Sequence, residues 1–195
     1  MVGEPAYLKA FKALGQAIPE DARLRTTEEE FYGESDRAAG ILLVSMVEDA
    51  LDAALKKLFR SGAPFSKLFS YEGPLGTFSA KIELGYALSL FGEKSRHDLD
   101  LLRRLRNGFA HYRAPLHFDV PEVKAVCEHL VIPTLPGAIP ASVRYETGRV
   151  KAFGVPPKDH PKYPRFLFSS ACHTLTFHLG TLPRRPHERP LSPLP

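Results

Sequence analysis

Ser95-Arg96-His97-Asp98-Leu99-Asp100-Leu101-Leu102-Arg103-Arg104-Leu105-Arg106-Asn107-Gly108-Phe109-Ala110-His111-Tyr112 is the stretch that decides how this chain folds. Leu101, Leu102, Leu105 and Phe109 recur at three- and four-residue steps, so the segment reads as a helix with one apolar stripe. Ser95-x-x-Asp98 is a variant of the capping box at its start, and Ala114-Pro115 breaks it beyond Tyr112. Its end carries the chemistry: Arg106, Asn107 and His111 bring a guanidinium, an amide and an imidazole within six residues. Arginine can grip a phosphate with two parallel hydrogen bonds, asparagine can orient a neighbour, and histidine exchanges protons near neutrality.

On a regular helix Asn107 and His111 share a face, whereas Arg106 and His111 stand about 140° apart around the axis. Two arrangements bring Arg106 and His111 to one site. Either the helix loosens near its end, which Gly108 and Pro115 favour, or a second copy of the motif across a two-fold axis supplies the missing group. A purely local role is also open, because Arg, Asn and His near a helix C-terminus can hydrogen-bond the last free carbonyls and suit the negative helix end.

Working outward, a mainly helical chain emerges. Tyr7, Leu8, Phe11, Leu14 and Ile18 predict a first helix that stops at Pro19, and residues 20–33 read as a polar connection. Ser35 is an N-cap for a long helix whose Ile41 to Phe59 portion is so apolar that it must be largely buried. Glu48, Asp52, Lys56 and Arg60 write a ladder of opposite charges on its exposed face, and Gly62 ends it. Arg37, Glu48 and Asp49 on this helix, with Arg103 on the motif helix, are the candidates for a layer supporting Arg106, Asn107 and His111. A solvated charged face is the simpler reading of the carboxylates. Residues 62–76 read as a loop; Thr77 caps the next helix, which runs through Phe78, Ile82, Leu84, Leu88 and Phe91 to Gly92.

Beyond the motif, Pro121 opens a helix with Val123, Val126, Cys127 and Leu130 facing inward. Residues 142–153 alternate about Thr147-Gly148 and predict a small β-hairpin inserted before the last helix. That helix begins at Pro164 and buries Phe166, Leu167, Ala171, Cys172, Leu175 and Leu179. Residues 181–195 hold five prolines and three arginines, the composition of a disordered Pro/Arg-rich tail. The expected organisation is therefore one helical domain over residues 1–180 and a tail over 181–195.

Composition narrows the function classes. With 195 residues and 44% hydrophobic content, the chain can bury one sizeable core. It has no run of about 18 apolar residues and no export signal at its start, so no membrane partner and a cytoplasmic location are expected. Cys127 and Cys172 stand apart in apolar patterns and read as buried thiols, and the histidines lack ligand spacing, so no metal site and no cofactor are assigned. The net charge of +4 says little about nucleic acid, since the tail supplies half of it. Locally, Arg96, Arg103, Arg104, Arg106 and Arg113 against Asp98 and Asp100 give a net +3, a small basic patch around the motif.

Several short blocks in order carry a family resemblance. They are Glu34-Ser35-Asp36-Arg37-Ala38-Ala39, the Leu43 to Leu51 stretch with Glu48-Asp49, Gly73-Pro74-Leu75, Phe78-Ser79-Ala80-Lys81-Ile82, Asp100 through His111, and Pro115-Leu116-x-Phe118-Asp119. The Arg106 to His111 motif resembles the Arg-x-x-x-x-His signature of the HEPN superfamily. Within it, the blocks over roughly residues 30 to 135 resemble the mannitol operon repressor family. The resemblance implies an all-α, HEPN-like helical bundle that forms a homodimer, and a regulatory protein acting through protein or RNA contacts. No segment reads as the paired short helices of a helix-turn-helix, so direct operator reading by that device is not expected. The alternative it implies is a metal-independent endoribonuclease, toxin-like, with an antitoxin as protein partner. There His111 would activate the ribose 2′-hydroxyl or protonate the leaving oxygen, Arg106 would stabilise the phosphate, and Asn107 would hold one of them in place.

Overall fold

The computed structural model describes residues 35–59, 63–114, 116–136, 138, 158–182 and the backbone of 143–146 and 149–152. Helix α1 spans Asp36–Lys56, α2 Phe65–Leu68, α3 Phe78–Ala87, α4 Glu93–His111, α5 Pro121–Glu128 and α6 Tyr163–Thr181. A single 3-10 turn, Ile132–Thr134, follows α5, and strands β1 (Val143–Glu146) and β2 (Arg149–Ala152) pair antiparallel with Val143 opposite Ala152. The described chain is an all-α bundle with that hairpin as its one departure. The expected helix over Tyr7 to Ile18, the Thr147-Gly148 turn and the tail beyond Leu182 lie outside the described residues.

Capping residues start the helices where their chemistry dictates. Ser35 accepts a hydrogen bond from the Ala38 N–H and Thr77 from the Ala80 N–H, each satisfying a donor that has no partner within the first turn. Pro121 opens α5 and Pro164 lies in the first turn of α6, where the missing proline N–H costs nothing.

The core is the seam where α1 meets α6 and α4. Leu43, Val44, Val47, Leu51 and Leu55 of α1, Leu167, Phe168, Ala171 and Leu175 of α6, and Leu99, Leu102, Leu105 and Phe109 of α4 are buried. Each such side chain stabilises the fold by roughly 1.5–3 kcal/mol relative to exposure. Phe118 links the layers, with its ring centroid 4.9 Å from those of both Phe109 and Phe168. The apolar period places most of these residues, and Phe168 joins them because α6 is buried over most of its girth.

Five local expectations change. Helix α4 begins at Glu93 behind Gly92, with no side-chain cap, so Ser95 lies inside the helix and the capping-box variant is not used. Helix α3 ends at Ala87, followed by Ser89 at φ 55°; a left-handed residue closes a helix, and Leu88 is left exposed. Residues expected as an uninterrupted loop contain α2; its Phe65 and the Phe69 that follows it meet Phe59 edge to face. Helix α1 stops at Lys56, before Gly62 can act. The remaining change is Asp98: counted above with the surface charge, it is fully buried.

Candidate functional site

The helix remains regular through His111, where the Tyr112 N–H still reaches the Gly108 carbonyl at 3.0 Å. A loosened helix end therefore does not bring Arg106 and His111 together. Among the described residues no hydrogen bond joins Arg106, Asn107 and His111, and Asn107 and His111 are both exposed. Arg106 is half-buried and turns the other way, with Nη1 3.6 Å from Glu48 Oε2 on α1.

Glu48 belongs to a network across three helices. Its Oε1 accepts a hydrogen bond from Lys81 Nζ of α3 at 2.7 Å, while Nζ lies 2.9 Å from Asp52 Oδ1. The second contact is close for an ion pair but poorly angled for a hydrogen bond. Lys56 of α1 completes it with a 3.8 Å contact to Asp52, one turn away. Burial alone would lower the Lys81 pKa, yet the Asp52 and Glu48 carboxylates outweigh it and raise it, so the ammonium is held charged. The expectation of a solvated charge ladder is thus corrected: Glu48 and Asp52 grip a lysine that is only 7% exposed, because α3 packs against that face of α1. Arg60 lies outside the described residues.

Asp49 sits at the rim of this network. Its pKa is raised by partial burial first and then by the negative charges of Asp52 and Glu48, against the weaker pull of Lys81 and Lys56. Arg103, the other supporting candidate, pairs with Asp100 on its own helix at 3.3 Å. Such an i, i+3 contact on a helix surface contributes a few tenths of a kcal/mol.

Arg37 acts on the backbone beyond the motif. Its Nη2 donates to the Tyr112 carbonyl at 2.7 Å and to the Ala114 carbonyl at 2.6 Å, satisfying acceptors that the helix end leaves free. Beside it, Asp36 accepts the Phe118 N–H at 3.1 Å and pairs with Arg165 of α6 at 2.8 Å. The start of α1 thereby fixes the chain on leaving His111.

Two polar residues, Asp98 and Lys81, hold buried positions that their sequence context did not assign to them, although each left a signal. Asp98 lies four residues before Leu102 and seven before Leu105, on the apolar stripe itself. Its carboxylate accepts the Val131 N–H at 3.0 Å and the Ile132 N–H at 2.7 Å, anchoring the turn after α5 to α4. Lys81 lies three residues after Phe78 on the buried side of α3. A charge placed on an apolar stripe signals a buried partner.

Cys127 and Cys172 are buried free thiols, as the sequence predicts. Burial pushes the Cys127 pKa up to about 12 and that of Cys172 well above the ordinary value, so both are unreactive at neutral pH. Among the described residues no His, Cys, Asp or Glu cluster could hold a metal ion, and no helix is long and apolar enough to cross a membrane.

The described residues define an all-α bundle whose fourth helix presents an arginine-rich, amide- and imidazole-bearing end at the surface. The fold is similar to that of a chain in the X-ray structure of the MtlR–HPr complex from Escherichia coli, with a TM-score of 0.53 and 21% identity. The match covers 78% of this chain and 95% of that chain. No family model matches the sequence, and no curated protein does.

Proposed function

We propose that this chain is a regulatory protein of the mannitol-repressor type that acts by binding another protein. The observation that carries the reading is the shared fold with a chain solved in a complex with HPr, over nearly the whole length of that chain. Arg106, Asn107 and His111 then serve recognition. Arg106 is braced by Glu48, while Asn107 and His111 face solvent one helical turn apart. The arrangement within one copy supports binding more than cleavage, since the cation that would stabilise a phosphate is drawn toward a carboxylate on α1. The test is titration of the HPr protein encoded by the same genome into the purified chain by calorimetry. Saturable heat with a defined stoichiometry supports the reading, and its absence counts against it.

A second reading, a metal-independent endoribonuclease working as a homodimer, draws on the exposed His111 and Asn107. Across a two-fold axis two copies of the motif would meet, and Arg106 of each would leave Glu48 to reach a phosphate placed between them. Incubation of a mixed RNA pool in EDTA decides it. Cleavage lost in both His111→Ala and Arg106→Ala would install the nuclease, and an inert parent protein removes it.

A further inference from the structure

We draw no further inference here: the strongest candidate, the exposed surface patch of α4 that carries Arg104, Asn107 and His111, carries nothing, because nothing in the structure shows what covers it.

Discussion

The Phe109 ring of the motif helix fills the space that a side chain at Gly40 would need. Because Phe109 is fully buried and Gly40 lies on the buried face of α1, the ring from the helix carrying Arg106, Asn107 and His111 packs directly on the α1 backbone. Gly40→Ala is expected to destabilise the chain by about 1–3 kcal/mol through overpacking. Urea unfolding measures the loss, and Phe109→Leu in the same chain should return part of it by vacating the contested space. A loss that is simply additive in the double variant would refute the steric explanation.

Lys81 is the pivot of the polar network. Lys81→Met leaves Glu48 and Asp52 facing each other without their ammonium, at a cost of about 2–3 kcal/mol for groups that keep some solvent. Thermal unfolding of Lys81→Met and of the triple variant Glu48→Gln, Asp52→Asn, Lys81→Met separates the causes. The triple variant should be the more stable, because the isolated carboxylates and not the missing methylene contacts carry the penalty.

Asp98 ties α4 to the turn after α5 with hydrogen bonds from two backbone N–H groups. Asp98→Ala removes both acceptors from a fully buried site, which should cost about 3 kcal/mol. Hydrogen exchange gives the sharper signature: the amides of Val131 and Ile132 should lose protection before those of the α1 and α6 core. Uniform loss across the protein would mean that Asp98 serves global packing and not this anchor.

His173 sets a dependence on pH. Burial lowers its pKa from 6.5 to about 4, so the unfolded chain takes up this proton more readily than the folded one. Stability is therefore insensitive to this group above about pH 6.5 and falls as pH drops from there toward 4, by at most about 3 kcal/mol. Asp49 acts in the opposite sense at the acid end, since its raised pKa lets the folded chain bind a proton first. Unfolding midpoints measured across pH 4–8 should show the decline in the parent protein and a much flatter profile in His173→Gln.

The linear order of residues determined which segments become helices and what starts them. The stripes of α1, α4, α5 and α6 are visible as apolar residues at three- and four-residue steps, and Ser35, Thr77 and Pro121 act as local chemistry predicts. Helix ends were less legible. Ser89 closes α3 in a left-handed conformation where glycine is usual, and α4 starts behind Gly92 with no side-chain cap, whereas the sequence pointed to Ser95. Composition and thiol spacing likewise indicated that Cys127 and Cys172 are buried.

Packing alone decided the meaning of the charges. Spacing put Glu48 and Asp52 on one face of α1, Lys81 on α3 and Arg106 on α4; only the rotation of α1 against α3 and α4 brings them into one network. The same rotation leaves Arg104, Asn107 and His111 facing outward around Gly108. A helix period fixes which residues share a face, but not what that face meets. That is set by how all the apolar stripes fit together at once, a condition on the whole bundle that no single stretch of sequence contains.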